Sequence, residues 1–158
     1  MPSTSSLLNK LRADYPHFQF IAGREFRWSP DEQTIFYDDS TDDPASLLHE
    51  LAHATLGHQG YTRDIELIEM EQSAWQHATA TLASRYRIVV SEDIVESSLD
   101  TYRDWLHARS TCPNCNATGL QTRKSIYACM ACRTQWHVND ARICALRRHT
   151  IGHTKTHP

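Results

Sequence analysis

A chain of 158 residues, 40% hydrophobic and 22% charged, is long enough to bury a core and too mixed to be fibrous or disordered. No run approaches the roughly 18 apolar residues of a membrane-spanning helix, and MPSTSSLLNKLRADYP lacks the apolar core of a signal peptide, so a cytoplasmic protein without a membrane partner is expected. The net charge of -3 hides a split, since residues 1–108 hold 8 Lys+Arg and 18 Asp+Glu (net -10) while residues 109–158 hold 8 Lys+Arg and Asp140 alone (net +7).

Residues 4–14 suit a short amphipathic helix with Leu7, Leu8 and Leu11 inward. FQFIAGREFRWSPDEQTIFYD reads as two or three short strands, with Ser29-Pro30-Asp31 marking a turn. An acidic loop follows, and Asp43 as N-cap with Pro44 at the first helical position starts a helix that Gly57 ends near Leu56. A third helix is expected over about Asp64 to Ser84, and RYRIVV as an extended link. Ser91 then caps a helix opened by Glu92 and Asp93, with Ile94, Val95, Leu99, Tyr102 and Leu106 at helical spacing. From Ser110 the composition shifts to paired cysteines, turn residues and short strand-like pieces, and the last residues, RRHTIGHTKTHP, read as a frayed tail. The fold class expected is α+β: a helical metallopeptidase-like domain with a small β-sheet at 1–108, a small metal-bound domain at 109–148, and a flexible tail at 149–158.

His49-Glu50-Leu51-Ala52-His53 matches H-E-x-x-H. On a helix the two histidines stand one turn apart, placed to grip one ion, with the glutamate beside them to act on a water. Leu47, Leu48, Leu51 and Ala54 fall on the opposite side, so one face can be buried while the histidines face a cleft. Two histidines leave a catalytic zinc short of its usual three protein ligands. His58 is one residue short of the metzincin spacing and reads as a helix-end residue. In DIELIEMEQSAWQHATATLA the apolar face comprises Leu67, Ile68, Met70, Ala74, Ala78 and Leu82, and Glu71 falls within it. A carboxylate there is costly to bury unless something positive holds it, as a metal or an arginine would. Asp64, two turns earlier on the same stripe, is the alternative ligand or a partner behind the ligands.

LLHELAHATLGH followed by EMEQSAWQHATATLA resembles the ImmA/IrrE family of zinc metallopeptidases, whose pattern is H-E-L-x-H-x-x-x-G-H and then a helix bearing E-x-x-A. The resemblance spans about residues 5–85. It implies a zincin-like core, His49, His53 and Glu71 as zinc ligands, Glu50 as catalytic acid/base, and regulated cleavage of a protein such as a repressor. Trp75 departs from the family, which usually carries Asn or Asp there. For the oxyanion, Tyr61, His77 and Tyr102 are the candidates, and the sequence does not choose among them.

Cys112-Pro-Asn-Cys115 and Cys129-Met-Ala-Cys132 give two C-x2-C pairs with thirteen intervening residues, the spacing of a tetrahedral thiolate site. The arrangement resembles a zinc ribbon; rubredoxin-type iron is disfavoured because Asn116 and Arg133 stand where that class typically has Gly. Two zinc ions are thus expected, one catalytic and one structural, and Cys144 is left as a free thiol. Arg109, Arg123, Lys124, Arg133, Arg142, Arg147 and Arg148, interleaved with Tyr127 and Trp136, suit a nucleic-acid strand or an acidic protein surface. The expected function is a zinc endopeptidase whose basic ribbon docks substrate or nucleic acid. A SprT-like protease of DNA-bound proteins, or a non-catalytic metal-stabilised binding module, are the alternatives.

Overall fold

A computed structural model describes residues 2–141 and 146–153; Arg142, Cys144 and the last five residues of the tail lie outside them. Helices and two small sheets make an α+β protein. The chain forms two compact units, Met1–Gly60 with Glu69–Glu96, and Tyr61–Ile68 with Ser97–Pro158. Two helices each run from one unit into the other.

In the first unit, α1 (Thr4–Asp14) buries Leu7, Leu8 and Leu11. Its first turn is held from a distance: one oxygen of Asp42 accepts from both the N–H and the hydroxyl of Thr4, at 2.7 Å each. Strands β1 (Gln19–Gly23), β2 (Arg27–Ser29) and β3 (Thr34–Asp38) form a sheet in the order β1-β3-β2, with β3 parallel to β1 and antiparallel to β2. Helix α2 (Pro44–Leu56) starts where Asp43 accepts from the Ser46 N–H at 3.0 Å, and ends at Gly57, whose φ of 69° only glycine adopts at little cost. That left-handed cap turns the chain back, so the His58 N–H donates to the His53 carbonyl at 3.0 Å. Helix α3 (Asp64–His77) continues through a π-helical turn (Ala78–Leu82) into α4 (Ala83–Tyr86), which Arg87 ends at φ 58°. Leu47, Leu48, Leu51, Ala52, Ala74, Ala78 and Leu82 meet the α1 leucines, Phe20 and Ile35 in one core.

Helix α5 (Glu92–Ser110) leads into the second unit. Ile94, expected inward, is 47% exposed, while Leu99 and Trp105 are buried. Strands β4 (Leu120–Arg123), β5 (Ile126–Ala128), β6 (Thr134–Val138) and β7 (Arg148–His153) form an antiparallel meander in that order. Residues 148–153, which read as a frayed tail, are the fourth strand of this sheet, because β6 presents its free edge to them from Val138 to Thr134, with one register shift between Trp136 and Gln135. Cys112, Tyr127, Cys129, Trp136 and Val138 form the core of this unit.

Candidate metal centres

Helix α2 sets His49 and His53 one turn apart on the side that meets α3, and α3 brings Glu71 to both. The His49 Nε2 lies 2.9 Å from Glu71 Oε2, the His53 Nε2 lies 3.4 Å from Glu71 Oε1, and the two Nε2 atoms are 3.1 Å apart. A tetrahedron with zinc–nitrogen or zinc–oxygen bonds of about 2.0–2.2 Å has edges of about 3.3–3.6 Å. The three donors thus converge like three corners around one ion, to within a few tenths of an ångström. Nitrogen and carboxylate donors in this set suit a borderline divalent metal. All three side chains are buried, so the histidines do not face an open cleft as their position on the helix suggested. Burial pushes the Glu71 carboxyl up, but the hydrogen bonds from His49 and His53 prevail and hold it at about 2. Glu71 is therefore an anion in an apolar stripe, the state a metal ligand needs.

Glu50 sits on the same helix beside the donors. Its Oε2 accepts from the backbone N–H of Trp28 in β2 at 2.8 Å, which fixes the carboxylate against the sheet edge. Burial raises the Glu50 carboxyl above the ordinary range and outweighs the opposite pull of His49 and His53. A raised carboxyl close to histidines is suited to take and return a proton.

The ligands are held from behind in two different ways. The Trp75 ring stacks on His49, centroids 4.1 Å apart and 25° from parallel. The His49 Nδ1 is buried with no hydrogen-bond partner among the described residues. His53 is held by a bond instead: its Nδ1 lies 2.8 Å from the His58 Nδ1, and the His58 Nε2 lies 3.2 Å from the Ser73 hydroxyl. The His58 carbonyl accepts from the Trp28 indole N–H at 2.9 Å. His58, read from the sequence as a helix-end residue, is thus packed behind a ligand. The signal for it was Gly57, whose left-handed cap folds the next residue back over the helix end. Nothing in the sequence pointed to Trp28 or Ser73.

In the second unit the four cysteine sulfurs lie within 4.8 Å of one another. Cys112 and Cys132 sulfurs are 3.6 Å apart, and those of Cys115 and Cys129 are 3.5 Å apart. The edge expected for zinc–sulfur bonds of about 2.3 Å is about 3.8 Å. The two knuckles repeat each other. The Cys112 carbonyl accepts from the Asn116 N–H and its N–H donates to Ala117; Cys129 does the same with Arg133 and Thr134. Asn116 and Arg133 take positive φ, 63° and 62°, so both stand in the conformation that favours glycine without being glycine. Hydrogen bonds from Asn114 and Thr134 lower the Cys132 thiol well below the ordinary range. A thiolate among sulfurs this close calls for a cation.

Asp64, the alternative ligand, is committed elsewhere. Its carboxylate accepts from the Arg109 Nε at 2.8 Å and from the Tyr127 hydroxyl at 2.7 Å, and its N–H donates to Gln121 at 2.7 Å. Arg109 also donates to the Asn139 carbonyl. This buried network explains why Tyr61–Ile68 belongs to the second unit. It also withdraws Arg109 from the basic surface, and Tyr127 and Trp136 are 2% and 0% exposed and cannot stack on bases. Arg123, Lys124, Arg133, Arg147 and Arg148 remain exposed. Of the oxyanion candidates, Tyr61 meets Trp105 edge-on, Tyr102 lies on α5, and His77 ends α3, half-buried.

Among the described residues no helix is long and apolar enough to cross a membrane. Comparison with family models, with curated proteins and with solved structures found no match for this chain.

Proposed function

We propose that the chain is a zinc-dependent endopeptidase of the ImmA/IrrE type, with a zincin-like first unit, and that its second unit is a zinc ribbon. The observation that carries this reading is the convergence of His49, His53 and Glu71 donor atoms with Glu50 held beside them. A purely structural site has no use for a fixed, proton-accepting carboxylate next to three ligands.

Bound zinc would supply a Lewis acid and a water of lowered pKa. Glu50, oriented by the Trp28 N–H, takes the proton of the attacking water and delivers it to the leaving amine nitrogen. His49, His53 and Glu71, all buried, would hold the ion. The ribbon's exposed cations, Arg123, Lys124, Arg133, Arg147 and Arg148, serve to dock an acidic protein substrate or nucleic acid. The aromatic support for a nucleic-acid strand is gone, so the acidic protein is the favoured occupant.

The test is Glu50→Gln. The variant is expected to bind two zinc ions per chain, the number expected of the wild-type protein, while peptide cleavage falls by at least about 100-fold. Unchanged cleavage would end this mechanism.

A further inference from the structure

We propose that His58 and Ser73 form a positioning relay that fixes the tautomer of His53, so that its Nε2 offers a lone pair to the metal. This inference rests on the metallopeptidase reading above and extends it to residues behind the ligands.

The argument follows single protons. The Ser73 hydroxyl has one proton, and the Met70 carbonyl, 3.0 Å away, can only accept it. With that proton on the Met70 carbonyl, the Ser73 oxygen is left to accept from the His58 Nε2–H at 3.2 Å, the polarity we assign. A neutral imidazole with its proton on Nε2 has a lone pair on Nδ1. The 2.8 Å contact between the two Nδ1 atoms is a hydrogen bond only if one of them carries the proton. In that polarity His53 donates. Where a metal takes the place of the Nε2 proton that otherwise meets Glu71, the His53 proton is thereby held on Nδ1, and its Nε2, 3.1 Å from the His49 Nε2, is free to ligate. The opposite polarity would put a proton on the His53 Nε2 and block it as a ligand.

Carboxylates and carbonyls commonly serve this purpose behind metal-bound histidines, and such partners are worth about 10–100-fold in metal affinity. Here a second histidine does it. Gly57 supplies the turn that delivers it, and the Trp28 indole N–H on the His58 carbonyl fixes its backbone. The other ligand, His49, has the Trp75 stack behind it and, among the described residues, an unpartnered Nδ1, so the relay carries the orientation of the pair.

Zinc affinity at the His49–His53–Glu71 site, measured by chelator competition, tests the relay. The cysteine site, which cobalt marks by thiolate charge-transfer absorption, is the internal control. His58→Phe is expected to weaken the first site by about 10–100-fold and leave the cysteine site unchanged. His58→Asn, whose side-chain oxygen can stand where Nδ1 stood, should recover most of the loss. Nitrogen-15 NMR of the zinc-loaded wild-type protein should read His58 as the neutral Nε2–H tautomer, a result that needs no variant to fold. Wild-type affinity in His58→Phe, or His58 found as the Nδ1–H tautomer or as imidazolium, overturns the relay alone. A wild-type protein that binds no zinc outside its cysteines overturns both the relay and the peptidase reading.

Discussion

Asp64 shows how one buried carboxylate can serve the fold rather than the chemistry. It stands two turns before Glu71, yet Arg109 and Tyr127 saturate it while Glu71 keeps its oxygens for the histidines. The Arg109–Asp64 side chains are only 4% exposed. Removing one partner of a buried pair leaves the other charge without compensation, which costs about 3–5 kcal/mol. Arg109→Ala should therefore destabilise the second unit by about that amount. Tyr127→Phe removes a single bond to the same carboxylate and should cost about 1–3 kcal/mol. Denaturant unfolding followed by near-ultraviolet circular dichroism reads both, and equal effects of the two variants would contradict this ranking.

At the scale of elements, Gly119, just ahead of β4, lets the chain pass close against β5 and under the Trp136 ring of β6. A Cβ there would overlap the Trp136 ring, with its Cζ2 at 3.0 Å, and meet the Ala128 carbonyl oxygen at 2.9 Å. Trp136 is fully buried and its indole donates to the Arg109 carbonyl at 2.9 Å, so it cannot swing aside. Gly119→Ala is expected to cost at least about 1–3 kcal/mol, and a variant as stable as wild type would mean that the sheet yields more readily than this packing implies. Such a contact is invisible in sequence, because it joins residues seventeen apart through a side chain whose direction depends on the register of the sheet. What was legible is local. Asp43, Pro44 and Gly57 bound α2 where their backbone preferences put them, Ser91 starts α5, and the helical spacing of leucines marks the buried stripes. Glu71 was legible for a related reason, since a carboxylate inside an apolar stripe requires a positive partner. The pairing of β7, the fate of Asp64 and the role of His58 were not, because each is decided by a partner distant in sequence or by a turn that reverses the chain. Tyr127 and Trp136 misled as stacking residues because period and composition do not say which face of a strand is inward.

At the scale of the molecule, two units of unequal self-sufficiency each carry one candidate metal site. The first has sixteen buried residues in its core, and every group proposed to hold or orient its metal lies within that unit. The second has five among the described residues, and two of them are cysteines of its own site. A core that small does not offset the entropy of ordering its loops, so a metal bound there would supply folding free energy, and one bound in the first unit only affinity. The double variant Cys112→Ser with Cys129→Ser should then bind one zinc instead of two. It should also lose the near-ultraviolet signal of the Tyr127–Trp136 stack, whose rings lie 5.7 Å apart. The remaining zinc should stay bound with wild-type affinity, because α2, the sheet of β1–β3 and the α3 residues from Glu69 onward keep their own core. Loss of both ions would instead mean that helices α3 and α5, which the two units share, transmit unfolding from the cysteine site to the histidines, and the second unit would then be part of the first unit's scaffold.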